Sequence, residues 1–137
     1  LDAGPVVLNH NIESVPRLYG RVRPKARYDR SLALFRGAKQ IAPAIPVKSG
    51  LMVGLGETFE EVCDVLADLR SAGVDLVTVG QYLRPTPKHL PVDRYMAPDE
   101  FDCIREVGER LGFAHIEAGP FVRSSYHAGE QAHAARG

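Results

Sequence analysis

The chain has 137 residues, the size of one compact domain and too short for two ordinary ones. With 45% hydrophobic and 25% charged residues it can bury a core, which excludes a disordered polypeptide. Lys plus Arg equals Asp plus Glu at 17 each, so no global charge draws it to nucleic acid or an anionic membrane. Along the chain, Pro5 to Leu8 reads as a short strand that runs into the polar string Asn9-His10-Asn11. Ser14 and Pro16 mark a short helix start,. From Asp29 to Ile41, the residues Leu32, Phe35, Ala38 and Ile41 share one helical face, and Pro43 and Pro46 stop the helix,. Val47 to Val53 reads as a buried strand. Gly54-Leu55-Gly56 then turns it into a helix with Thr58 as N-cap and Glu61 in capping-box position,. That helix is expected to bury Phe59, Val62, Val65, Leu66 and Leu69 and to end at Gly73,. Val74 to Leu83 is the next strand, followed by a proline-rich crossing from Arg84 to Pro91. Pro98-Asp99-Glu100 opens a helix carrying Phe101, Ile104, Val107 and Leu111, closed by Gly112. Ala114 to Ala118 is a last, weaker strand, and the tail from 119 to 137 has no period.

Strands separated by helices, with few outward polar positions, imply parallel pairing with right-handed crossovers and burial on both faces. Three or four such strands do not close a barrel, which needs about eight in its common form. The expectation is an α/β fold, either half of a barrel or a small open sheet, over residues 1–118, with 119–137 as a tail. Either version puts function at the C-terminal ends of the strands. No apolar run approaches the roughly 18 residues of a membrane helix, and no basic-then-apolar leader opens the chain. Cys63 and Cys103 make neither a disulfide framework nor, alone, a zinc or iron–sulfur site; on their helices they read as buried small apolar residues,. The opening Leu-Asp-Ala-Gly-Pro, with no methionine, reads as the start of an excised segment.

The strand ends are polar. Asn9, Asn11 and Glu13 suit ribose hydroxyls or an amino-acid ligand, or a merely solvated turn,. Lys48, within an otherwise apolar strand, needs a partner or a ligand because its charge is costly to bury,. Gly54 and Gly56 allow either a tight turn or an anion at the following helix start. A dinucleotide fingerprint fails because Phe59 stands where the third glycine belongs,. Gln81 and Tyr82 are placed to frame a planar ring, or to fill the rim. The tail's Arg123-Ser124-Ser125-Tyr126-His127 completes no catalytic triad, and the five histidines lack metal-like spacing,. Arg17, Arg21, Arg23, Lys25, Arg27 and Arg30 face only Asp29 in their stretch, which is either a solvated surface or a docking patch for an acidic partner,.

Six strings, in order along almost the whole chain, resemble the lipoyl synthase family of radical S-adenosylmethionine (SAM) enzymes. They are Val7-Leu8-Asn9-His10-Asn11-Ile12-Glu13, Tyr19-Gly20-Arg21-Val22-Arg23-Pro24, the run from Lys48 to Glu57, Gly80-Gln81-Tyr82-Leu83, His89-Leu90-Pro91-Val92, and the run from Gly119 to Ala128. The resemblance implies the C-terminal half of a partial (β/α)6 barrel. The enzyme it implies inserts two sulfurs at C6 and C8 of an octanoyl chain on a carrier lysine. It carries two [4Fe–4S] clusters and SAM, takes electrons from a reducing donor, and sits in the bacterial cytoplasm, or in mitochondria or plastids of eukaryotes. Both cysteine motifs of that family are missing here, so the chain by itself is expected to be inactive and to hold no catalytic residue. By resemblance, Asn9, Asn11, Glu13 and Lys48 contact the SAM ribose and amino acid. Gly50, Met52, Gly54 and Glu57 match the family's Gly-x-Ile-x-Gly-x-x-Glu string on the adenine side, with Met52 for Ile, and Gln81, Tyr82 and Leu83 complete that wall. Ser125, or second Ser124, is the auxiliary-cluster ligand, and Arg123 offsets cluster charge. The basic stretch would meet the acidic surface of octanoylated lipoyl carrier domains, those of 2-oxoacid dehydrogenase E2 or the glycine-cleavage H protein. Two rival readings are a non-catalytic α/β module that binds SAM or such a carrier, and a different barrel enzyme that binds phosphate at the Gly54–Gly56 turn.

Overall fold

The computed structural model describes residues 7–19 and 25–122. Its elements are β1 (Leu8–Asn9), a 3-10 turn (Pro16–Leu18), α1 (Lys25–Ile41), β2 (Val47–Val53), α2 (Phe59–Ser71), β3 (Leu76–Gln81), α3 (Pro98–Leu111) and β4 (His115–Gly119). The four strands form one parallel sheet in chain order, β1-β2-β3-β4. Because every strand is added on the same side of the last, right-handed crossovers carry all the helices to one face. This is an open α/β sheet of the kind that forms part of a radical-SAM-type barrel.

The helices form where local chemistry allows. At the start of α2 the Thr58 hydroxyl accepts from the Glu61 amide at 3.1 Å and the Glu61 carboxylate accepts from the Thr58 amide at 2.9 Å. Two orphan donors of the first turn are thereby satisfied. In α3, Pro98 occupies the first turn and Gly112 closes the helix in the left-handed region at φ 92°,. Val62, Val65, Leu66 and Leu69 of α2 and Phe101 and Ile104 of α3 meet Val47, Leu51, Val53, Val77, Val79 and Ile116 of the sheet in one core. Burial is worth about 1.5–3 kcal/mol for each large apolar side chain. A Cβ at Gly108 would lie 2.3 Å from Ile116 Cδ1, so α3 rests directly on β4. Asp75 joins three elements: it accepts from the Val47 amide at 2.9 Å and pairs with Lys39 at 2.6 Å. Burial pushes its carboxyl up, but the Lys39 ion pair and the Val47 amide outweigh this and hold it below its ordinary value.

Several expectations need correction. The strands are not buried by helices on both faces. The register aligns Asn9, Lys48, Leu76 and His115 in one row, Gly50, Thr78 and Glu117 in the next, and Met52, Gly80 and Gly119 in a third. By the two-residue alternation of a strand, these rows lie on the face away from the core. The first strand is Leu8–Asn9, and Pro5 and Val6 lie outside the described residues. Helix α1 starts four residues before Asp29, while β3 and β4 shift within or past their expected ends. Ile41 is 87% exposed and Phe59 47% exposed, because each is a terminal helical residue that overhangs the sheet. Cys63 is half-buried and Cys103 exposed, so neither is a core residue.

Candidate functional site

At the C-terminal end of β1 the chain bulges before rejoining β2. Asn9 pairs with Lys48 and Glu13 with Leu51, four residue steps against three,. The Ser49 hydroxyl accepts from the Ile12 amide at 3.0 Å, the Glu13 amide donates to Gly50 O at 2.9 Å, and the Met52 amide donates to Glu13 O at 3.0 Å. Glu13 is thereby held at φ 76°, a left-handed conformation that a glutamate adopts only when its surroundings enforce it,. Below it, Tyr19 donates to Ile12 O from a buried position that pushes its phenol well above the ordinary value. His10 points to the helical face, where its ring meets Phe35 edge-on at 5.7 Å and Nε2 lies 2.8 Å from Ser31 Oγ. The main chain from Asn9 to Glu13 thus runs beside Lys48 to Met52, with Asn9 in the row of Lys48 and Glu13 opposite Leu51.

The turn after β2 already holds an anion of its own. Gly54 and Gly56 both have positive φ, 97° and 115°. The buried Glu57 carboxylate accepts from the Gly54 amide at 3.0 Å and the Leu55 amide at 3.0 Å. The protein's own carboxylates thus occupy the Gly54, Leu55 and Thr58 amides, and the Thr58 hydroxyl occupies that of Glu61.

Residues 82–97 form a strap over the ends of β2 and β3. Gln81 donates from Nε2 to Arg94 O at 3.0 Å and Tyr82 O at 3.1 Å, and accepts from the Met96 amide at 2.9 Å. Tyr82 donates its hydroxyl to Leu90 O at 2.6 Å, and Gly54 O accepts from the Asp93 amide at 2.8 Å. A Cβ at Gly54 would sit 2.2 Å from Gln81 Nε2 and 2.6 Å from Arg94 O, so the turn and strap interlock there. Gln81 and Tyr82 thus spend their side-chain polar groups on the strap, whereas Leu83 is 44% exposed. Of the basic stretch, Arg17 is committed: it grips Glu61 at 2.8 and 2.9 Å and donates to Gly56 O. That pair holds Glu61 below its ordinary value. Arg27 and Arg30 are exposed on α1, which Lys25 begins, while Arg21 and Arg23 lie outside the described residues.

The sheet face away from the core suits a polar ligand. Among the described residues Asn9 Oδ1 and Thr78 Oγ1 are buried there without a hydrogen-bond partner, and a buried polar atom without one is costly unless a ligand or water supplies it. Gly50 stands beside Thr78 in its row, while the space over Gly80 is taken by the main chain of Val122. Thr78 and Glu117 were not foreseen as site residues; the signal was the alternation of polar and small residues with Val and Ile along β2, β3 and β4. Iron is a different matter. Among the described residues no three of His, Cys, Asp and Glu come together to hold a metal, so these residues alone do not fit a cluster. Ser124 and Ser125 lie outside the described residues.

An open four-stranded parallel sheet with its helices on one face and polar strand-end loops defines the class as α/β, consistent with part of a radical-SAM-type barrel. The particular protein it resembles is lipoyl synthase. The chain is 59% identical over 131 residues to lipoyl synthase of Symbiobacterium thermophilum, covering 96% of this chain and 41% of that protein. It is 56% identical over 136 residues to that of Rubrobacter xylanophilus, 99% and 42%. To that of Caldanaerobacter subterraneus it is 55% identical over 137 residues, 100% and 48%. The chain spans less than half the length of these curated relatives. No protein-family profile matches it.

Proposed function

We propose that this chain is the C-terminal portion of a lipoyl synthase, which inserts two sulfurs at C6 and C8 of a protein-bound octanoyl chain. The observation that carries the reading is the 55–59% identity to lipoyl synthases along nearly the whole chain. The polar groups of the sheet face away from the core support it, since a nucleoside ligand needs such donors and acceptors,. When bound, SAM and a reduced [4Fe–4S] cluster supply the radical that removes hydrogen from carbon, and an auxiliary cluster supplies sulfur. This chain's own contribution is placement. Asn9 Oδ1 accepts a ribose hydroxyl, and Asn11, Glu13 and Lys48 hold the remaining ribose and amino-acid groups. Gly50 and Met52 line the adenine side beside Leu83. Gly54, Glu57, Gln81 and Tyr82 act one step back, by fixing the turn and strap that shape the wall. Ser125, with Ser124 as the alternative, is an oxygen ligand to the auxiliary cluster. An oxygen ligand binds iron less firmly than thiolate, which suits a cluster that is dismantled. The partner is an acidic lipoyl carrier domain docked through Arg27, Arg30 and their basic neighbours, and a reducing donor supplies electrons.

The test uses the full-length protein that contains this segment, reconstituted with iron and sulfide. Replacing both Ser124 and Ser125 by Ala is expected to abolish sulfur insertion into an octanoylated carrier peptide, read by mass spectrometry, while SAM cleavage continues. Unchanged lipoyl formation in that variant would refute the ligand assignment. A wild-type protein that never inserts sulfur would refute the function itself.

A further inference from the structure

At the end of β4 the chain does not simply leave the sheet. It turns over Gly119, where the Val122 amide donates to Gly119 O at 3.2 Å. The main chain at Val122 then passes directly against β3: an ideal Cβ at Gly80 would lie 2.1 Å from Val122 O, 3.1 Å from its carbonyl carbon and 3.8 Å from its Cα. The atoms in the way are backbone, so no rotamer change relieves the clash. Gly80 stands in the row with Met52 and Gly119, on the face away from the core and one residue before the Gln81 anchor of the strap. Its φ is not in the left-handed region, so conformational freedom does not explain the glycine. What explains it is the space.

We infer that Gly80 is a positioning residue: its missing side chain is the passage through which the main chain crosses β3 at Val122. It thereby fixes the point from which the Arg123-Ser124-Ser125 string departs, on the same face as Asn9, Lys48 and Met52. Adjacent Gly119 is the natural comparison, because among the described residues a Cβ there would meet Val122 Cγ2 at 3.6 Å, an ordinary contact with a side-chain methyl. The functional part of the inference rests on the reading of Ser124 and Ser125 as working groups.

The experiment compares Gly80→Ala with Gly119→Ala in the full-length protein, each also in a version ending at Gly119. Gly80→Ala is expected to lower the urea midpoint of the intact protein but not of the shortened one, since the obstructed segment is then gone. Gly119→Ala is expected to change neither. In the intact protein, amide exchange at Val122 rises ~10-fold or more in Gly80→Ala while Val77 and Val79 keep their protection. Sulfur insertion falls ~10-fold or more with SAM cleavage kept within ~2-fold, a split that general loosening of the sheet does not give. Equal destabilisation of intact and shortened proteins by Gly80→Ala, or unchanged exchange at Val122, overturns the inference. If Val122 is freed but the double serine variant inserts sulfur normally, the crossing stands and the ligand reading fails.

Discussion

Among single residues, Gly54 and Gly56 show how alike two positions are in sequence and how unlike in space. Both have φ in the left-handed region, where an L-residue costs about 1–2 kcal/mol,. At Gly56 the nearest atom to an added Cβ is Asp93 Cγ at 3.9 Å, so Gly56→Ala meets that cost alone. At Gly54 the same atom enters the Gln81 amide and the Arg94 carbonyl, and the Gln81 bonds to the strap are lost as well. Urea unfolding is expected to place Gly54→Ala about 3 kcal/mol and Gly56→Ala about 1 kcal/mol below wild type. Equal losses would mean that the interlock of turn and strap carries no energy. The match of Gly50, Met52, Gly54 and Glu57 to a Gly-x-Ile-x-Gly-x-x-Glu string, with Met52 for Ile, is readable in the sequence. The sequence does not say that Glu57 closes on the amides of Gly54 and Leu55, because that depends on how tightly the turn is drawn.

Among the elements, the strap and α3 are tied by one charge pair. Arg94 holds Glu100 at 2.5 Å, and Glu100 also accepts from the Ala97 amide at 2.9 Å, the half of a capping box that an alanine N-cap still allows,. The Arg94 guanidinium first, and then the Ala97 amide, hold the Glu100 carboxyl down at about 2, against an ordinary 4.5. A carboxyl lowered on folding adds stability that is complete above the unfolded value and is lost as pH falls through the folded one. Wild type should therefore exceed Glu100→Gln by a constant margin above pH 4.5, and the margin should shrink toward zero as pH falls to about 2,. Urea unfolding at several pH values reads it; because both groups are exposed to solvent, the margin is about 1 kcal/mol at most. A margin that widens on acidification would reverse the sign and discard the assignment. Helix existence and type were legible from the 3.6-residue period and from caps such as Thr58 and Gly112. The start of α1 was not, because Lys25 to Tyr28 carry no capping signal.

For the whole molecule, a zero net charge conceals an uneven one. With Arg17 bound to Glu61, the exposed basic groups described on this flank are Arg27 and Arg30 of α1. In the full-length protein, Arg27→Glu with Arg30→Glu is expected to raise the KM for an octanoylated acidic carrier roughly 10-fold at low salt, with kcat little changed. Added salt should shrink the difference, because screening weakens attraction between exposed charges. A KM that ignores both the charge reversal and the salt would place carrier docking elsewhere. Among the described residues no helix is long and apolar enough to cross a membrane.

By itself the sequence determined the succession of strands and helices, their parallel pairing, and the strings that match lipoyl synthases. Each of these is written in local periodicity, capping residues and motif order. Only the tertiary structure decided that the helices cover a single face. It also decided that Asn9, Lys48, Gly50, Met52, Thr78 and Gly80 share the other face, and that the chain crosses back over Gly80 at Val122. Register and close approach are relations between residues about 40 positions apart (Asn9 beside Lys48, Gly80 beneath Val122). No window along the chain contains both partners, so the physics that joins them appears only once the sheet is assembled.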